Sequence, residues 1–157
     1  MSENWQSSYH FHFPLQVRYA DTDGQGHVFF GNYFTYFDEA SGAYLRAIGF
    51  PWKKLAAMGL DIFYVAANCQ YKGSATYEDI LHVHARMAAI GNTSFTIECA
   101  IVKAGSDRLI AGGQITAVVV DPQTRKPAPV PDELRRVAAD FEGVDFAQEQ
   151  GGKPDES

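Results

Sequence analysis

Cysteine is scarce in this chain: Cys69 and Cys99 are the only two in 157 residues. With no CxxC pair and no dense even-numbered framework, a disulfide scaffold and a zinc ribbon are excluded, and the thiols fit a reducing compartment. No apolar run approaches the roughly 18 to 20 residues of a membrane-crossing helix. The opening stretch Met1 to Ser8 has neither the basic nor the apolar region of a secretory signal. A cytoplasmic protein with no membrane partner is expected. A basic stripe is missing as well: 13 Lys and Arg stand against 19 Asp and Glu, a net charge of -6, so no nucleic-acid partner is expected. Gly24, Gly26 and Gly31 do not have dinucleotide-fingerprint spacing, and no glycine run leads to a P-loop lysine. No GxSxG occurs, which removes the serine-triad route in its usual form. No cofactor is expected. His10 with His12, and His82 with His84, put pairs of imidazoles on strand faces where a metal can bind. Four oriented ligands are not assured, so the expectation is no metal, with these histidines facing solvent or an interface.

A hydrophobic content of 46%, with 13% aromatic residues, supports one domain with a substantial core. Alternation of Phe11, Phe13, Leu15, Val17 and Tyr19 with polar neighbours predicts a half-buried strand over 10–19, at an edge or a bulge because of Pro14. From Asn32 to Ile48 the spacing becomes helical and apolar over most of the circumference, which requires a helix wrapped by other elements. Gly49 ends it and Pro51 prevents its continuation. Four strands follow, over 61–71, 80–89, 94–103 and 108–121, separated by turn residues at Gly91-Asn92, Gly105-Ser106-Asp107 and Asp121-Pro122. Pro131 to Arg136 reads as a short terminal helix, and the polar chain from Gly143 as a frayed tail. This order predicts an α+β architecture, an antiparallel sheet curled around one buried helix.

Chemistry concentrates in Asp21-Thr22-Asp23-Gly24-Gln25-Gly26-His27-Val28, between the first strand and the helix. A carboxylate at a helix N-terminus lies beside unpaired N–H groups that stabilise developing negative charge, an arrangement suited to hydrolysis of an acyl compound. Asp and Gly are equally the ordinary residues of turns and caps.

Val17-Arg18-Tyr19-Ala20-Asp21-Thr22-Asp23, Gly26-His27-Val28 and Asn32-Tyr33 with the aromatic helix resemble the hotdog-fold acyl-CoA thioesterases of the 4-hydroxybenzoyl-CoA thioesterase family, in their DxDxxGHV branch. Tyr77-Glu78-Asp79, Ile90 to Ser94 and Val120 to Leu134 resemble later parts of that family, so the likeness covers about residues 10 to 140. It implies a nine-residue N-terminal extension (1–9), one hotdog domain (10–142) and a flexible tail (143–157). It also implies hydrolysis of an acyl-CoA thioester to free acid and coenzyme A. Asp23 would be the catalytic carboxylate, as nucleophile or general base, with the backbone N–H of Phe30 polarising the carbonyl. His27 either lines the site, packs at the helix entrance or bonds the Asp21 or Asp23 loop. Asn32 orients Asp23, caps the helix or does both, and Phe29, Asn32 and Tyr33 are the candidate substrate contacts. Phe29, Phe30, Tyr33, Phe63 and Tyr64 are either the walls of an acyl pocket or core. Arg86, Lys72 and Arg108 are candidates for coenzyme A by charge alone. The family further implies a homodimer or homotetramer with sites between subunits, the cover falling on the strand near His10 or on the Val-rich strand. On the same scaffold a 3-hydroxyacyl-thioester dehydratase, with His27 as base, or a non-catalytic acyl-CoA binder are the alternatives.

Overall fold

The computed structural model describes residues 5–146. Five strands, β1 (His12–Gln16), β2 (Asp61–Tyr71), β3 (Ile80–Ile90), β4 (Ser94–Lys103) and β5 (Leu109–Val120), form one antiparallel sheet in the order β1-β3-β4-β5-β2. Helix α1 (Asn32–Ile48) lies across it, followed by the single-turn α2 (Trp52–Ala57), and α3 (Asp132–Glu142) closes the same side. This is the predicted α+β architecture.

Period-two patterning assigns the faces. In β3, Leu81, Val83, Ala85 and Met87 point to α1, while His82, His84 and Arg86 point outward; Phe95, Ile97, Cys99 and Ile101 of β4 continue the inner layer. Against them α1 buries Tyr33, Tyr36, Phe37, Ala40, Tyr44 and Leu45. A fully buried side chain of this size stabilises by about 1.5–3 kcal/mol, which is why the helix needs no side-chain cap to hold its start. It stops at Gly49, whose φ of 94° is open to glycine and whose N–H closes on the carbonyls of Arg46 and Leu45.

A β-bulge at Met87 to Ala89 interrupts the β3–β4 ladder, and the Met87 N–H turns instead to the Tyr44 hydroxyl at 3.2 Å and Glu142 Oε2 at 3.1 Å. Tyr44 donates to the same carboxylate. α3 therefore satisfies a polar group inside the core, and it runs to Glu142, one turn and more beyond the expected Arg136, because Leu134, Ala138 and Phe141 carry its apolar stripe inward.

β1 is shorter than the alternation suggests. It ends at Gln16 because the Asp21 carboxylate folds back on the Arg18 N–H and draws Tyr19–Asp21 into a 3₁₀ turn, leaving Tyr19 77% exposed. At its other end β1 begins only at His12, so His10 lies outside the strand and packs edge-on against Phe141. His12, His82 and His84 do share the outer face: His12 stacks on His82 at 4.3 Å between centroids and lies 5.4 Å from His84. Among the described residues no group of His, Cys, Asp and Glu has metal-binding geometry.

Packed residues stand near both limits of the described segment. Trp5 and Tyr9 form a small outer-face cluster with Ala100 and Val102, and Phe146 is buried in the main core. The rest of the expected tail, 147–157, lies outside the described residues. No helix among the described residues is long and apolar enough to cross a membrane.

The two free sheet edges are β1 and β2. The Val-rich strand β5 is not an edge: β2, reached after the helices, crosses to pair with it along its whole length. Cys69 and Cys99 both pair with Gly113 of β5, from opposite sides. Two strand spacings of about 4.8 Å separate their backbones by roughly 10 Å, too far for a disulfide, and both are free thiols.

Candidate active site

The segment between β1 and α1 is a tight loop fastened by its own backbone. Thr22 and Val28 form an isolated bridge, the Asp23 N–H donates to the His27 carbonyl at 2.9 Å, and the Gly26 N–H donates to the Asp23 carbonyl at 3.0 Å. Closing this turn places Gly26 at φ 82°, where a side chain is strained.

The two aspartates have different surroundings. Asp21 is 4% exposed and every part of it is engaged: Oδ2 accepts the Arg18 N–H at 3.0 Å and the Tyr36 hydroxyl at 2.9 Å, and Oδ1 accepts the Arg18 guanidinium at 2.8 Å. Burial alone would raise its pKa, but the hydrogen bonds from Arg18 and Tyr36 together hold it below the usual carboxylate range. The Tyr36 phenol is raised by burial first and by Asp21 second, so it stays a donor. Asp23 is half-buried; its Oδ1 accepts the Gln25 N–H at 2.8 Å, and its Oδ2 has no partner among the described residues.

The start of α1 is tied to this loop through Asp21. Its carbonyl accepts the Phe29 N–H at 2.9 Å and the Asn32 side-chain amide at 2.9 Å. Asn32 thus bonds neither Asp23 nor the helix N–H groups; it fastens the loop to the first turn from position 32, while Gly31 occupies the N-cap without a side-chain bond. The Phe30 and Gly31 N–H groups have no acceptor among the described residues. They carry the positive end of a 17-residue helix and form a ready site for developing negative charge.

Around these amides lies an aromatic array. Phe29 and Phe30 are exposed, with ring centroids 4.8 Å apart, and Phe30 meets Tyr71 of β2 edge-on at 6.3 Å. The Tyr71 hydroxyl donates to the Phe30 carbonyl at 2.9 Å. Its pKa is pushed up to about 12, by burial first and then by Cys69, so the phenol keeps its proton at neutral pH. Tyr33 is buried beneath, its hydroxyl accepting the Ala75 N–H at 3.3 Å. His27 is exposed; its backbone bridges Thr76, and its ring has no carboxylate partner among the described residues. Phe63 and Tyr64 do not join the array. They point to opposite faces of β2, Phe63 under the Arg125 guanidinium and Tyr64 toward Asp38 on α1.

Arg18, Tyr36 and Tyr71 escaped the sequence reading. The i,i+3 spacing of Arg18 and Asp21 is a usable local signal; Tyr71, 41 residues from Phe30, has none.

The fold and sequence have counterparts among known proteins. Residues 17–137 match the family model described as thioesterase-like superfamily. The Escherichia coli acyl-CoA thioester hydrolase YbgC (O6:H1 strain CFT073) is 27% identical over 124 residues, covering 79% of this chain and 92% of that protein. The solved structure of the 1,4-dihydroxy-2-naphthoyl-CoA thioesterase Slr0204 from Synechocystis superposes with a TM-score of 0.77 at 27% identity, over 83% of this chain and 96% of that one. The gentisyl-coenzyme A thioesterase BH1999 does so with a TM-score of 0.72 at 29% identity, over 80% and 99%. A five-stranded antiparallel sheet around a long helix that begins at an acidic turn is thus the hotdog fold, and the chain belongs to the thioesterase-like superfamily.

Proposed function

We propose that this protein, in the DxDxxGHV branch of its superfamily, hydrolyses an acyl-CoA thioester to the free acid and coenzyme A. The observation that carries the reading is the pair of unpaired N–H groups at Phe30 and Gly31, at the far end of the loop that begins with Asp23, a carboxylate with a free oxygen. The thioester oxygen accepts the Phe30 N–H, where the helix dipole favours the charge that develops as the carbonyl becomes tetrahedral. Asp23 Oδ2 attacks the carbonyl carbon to form an anhydride, or takes a proton from the attacking water. The leaving thiolate is stable enough to depart without a strong general acid, which accords with a side chain at Phe30 that cannot supply a proton. Tyr71 holds the Phe30 peptide from its carbonyl side and so fixes the direction of its neighbouring amides. Exposed Phe29 and Phe30 offer an apolar contact to the acyl group, and Asn32 and Tyr33 support the turn that carries them.

Nearly all of β2 is exposed along an unpaired edge of 11 residues, and a second copy pairing there would give a homodimer whose partner covers the Phe30–Tyr71 surface. Two dimers would give a tetramer. The reduced thiols support a cytoplasmic setting.

Thiol release from short, long and aromatic acyl-CoAs, compared between wild type and Asp23→Asn, tests the mechanism. The expected result is a loss of at least ~10²-fold in kcat with folding intact. Equal rates refute the role of Asp23. Water loss from a 3-hydroxyacyl-CoA, or tight acyl-CoA binding without turnover, replaces the reading by a dehydratase or a binder.

A further inference from the structure

Several cations among the described residues are already committed to carboxylates. Arg18 is held by Asp21, Lys54 by Glu133 and Arg86 by Glu98 at 2.7 Å, with the Arg86 guanidinium also over the Tyr9 ring. Arg86 is therefore a poor anion ligand. At the end of the sheet where β2 and β4 finish and β5 begins, the situation differs. A cleft of about 450 Å³ is lined by Gly73, Ser74, Lys103, Ser106, Arg108, Leu109 and Ile110. Its lining has two cations and two hydroxyls and no carboxylate, whereas the cleft on α3 sets Asp132, Asp140 and Asp145 beside its arginines.

The cleft is built rather than incidental. The Lys72 and Gly73 N–H groups both donate to the Ile110 carbonyl, at 2.8 and 3.0 Å, closing one wall. The Ser106 hydroxyl accepts the Arg108 N–H at 3.0 Å and keeps its own proton to donate. Lys103 is positioned by Asp79 at 3.3 Å, and that carboxylate is itself held by the Thr76 N–H and hydroxyl. One oxygen at that distance leaves the other ammonium protons of Lys103 available. The Arg108 guanidinium forms no ion pair among the described residues, and Lys72 adds a third positive charge at the rim of the adjoining groove.

We propose that this cleft binds the phosphates of the substrate's coenzyme A portion, with Arg108 and Lys103 as the charged ligands and Ser74 and Ser106 as hydroxyl donors. The proposal rests on the thioesterase reading. Its position is next to the thioester site: Gly73 is two residues from Tyr71, at most about 7 Å along the chain, and the Tyr71 hydroxyl donates to the carbonyl of Phe30, the residue whose own N–H faces the thioester oxygen in that reading. Phosphates in the cleft and a thioester at Phe30 thus share one end of the sheet. A guanidinium and an ammonium together supply the forked and point-charge contacts that phosphate oxygens favour.

The test uses Arg108→Ala and the double variant Lys103→Ala/Arg108→Ala. For an acyl-CoA, KM rises about 10-fold in the single and about 100-fold in the double variant, with kcat within about 2-fold. For the N-acetylcysteamine thioester of the same acyl group, which has no phosphate, KM and kcat stay unchanged. Equal effects on both substrates, or none on acyl-CoA, overturn the proposal. Calorimetry with adenosine 3′,5′-bisphosphate separates it from the reading it rests on. If the wild type hydrolyses no acyl-CoA, the thioesterase reading fails, and bisphosphate binding that disappears in the double variant still supports a phosphate cleft. No bisphosphate binding to the wild type overturns the cleft itself.

Discussion

Replacing Asp21 by Ala separates the structural aspartate of this loop from the one next to it. The substitution removes an acceptor shared by the Arg18 N–H, the Arg18 guanidinium and the Tyr36 hydroxyl. Charged hydrogen bonds contribute about 1.5–3 kcal/mol, and the buried Tyr36 hydroxyl left without a partner costs about 1–3 kcal/mol. Arg18 is exposed and regains water, so its share is discounted. A loss of about 2–4 kcal/mol is expected, which for a domain of this size lowers Tm by about 5–15 °C. Asp21→Asn retains an acceptor oxygen and should lose about half as much. Tyr36→Phe in the Asp21→Ala background should restore about 1 kcal/mol, because the orphaned hydroxyl is gone. The Asp21 contribution is also pH-dependent: with its pKa held below that of the unfolded chain, it is full above about pH 4 and is lost as pH falls through the folded value. Urea unfolding of the four proteins at neutral pH and at pH 3 is the assay. Asp21→Ala with stability within 0.5 kcal/mol of wild type, or no coupling to Tyr36, would refute the assignment, and Asp23→Asn should leave Tm unmoved throughout.

Acid should also act on the outer face, where His84 is pushed down to about 4 by burial first and by His12 and His82 next. Trp5, Tyr9, Arg86 and Glu98 face the same cluster. Because the folded pKa lies below the unfolded one, His84 stabilises fully above about pH 6.5 and loses about 1–3 kcal/mol as pH falls toward 4; His84→Gln should flatten that limb in urea titrations. A Cβ at Gly113 would meet the Asn68 carbonyl oxygen and lie 2.9 Å from Cys69 Cα, all of it backbone of β2. Gly113→Ala should therefore cost more than about 3 kcal/mol or abolish folding, whereas Gly24→Ala, with nothing within 4 Å, should stay near wild type in thermal melts. Val65, 57% exposed at the β2 bulge, should interrupt edge pairing as Val65→Lys, and sedimentation velocity should show monomer; a sedimentation coefficient unchanged from a wild-type dimer would move the interface elsewhere.

Periodicity alone carried the large elements of this protein. The helix over 32–48 and the strands over 61–71 and 94–103 have the same bounds in the fold as in the pattern, because burial on one face forces a period that a single sequence displays. The turn of Asp21 to Val28 was equally legible, since Gly26 and the aspartates answer to local backbone geometry. One local contact escaped: the alternation of 10–19 masks the i,i+3 fold-back of Asp21 on Arg18 that cuts the strand at Gln16. The rest of what escaped is non-local. Nothing in the Val-rich run of β5 says that β2 will cover its edge. The rank of the candidate cations, with Arg86 spent on Glu98 and Arg108 left open, depends on neighbours brought together by the sheet. So does the pairing of Tyr71 with Phe30. Sequence determined which residues repeat and where the chain turns, because those are properties of short segments. Only the tertiary structure decided which polar groups find partners, because a hydrogen bond across 41 residues leaves no trace in local spacing.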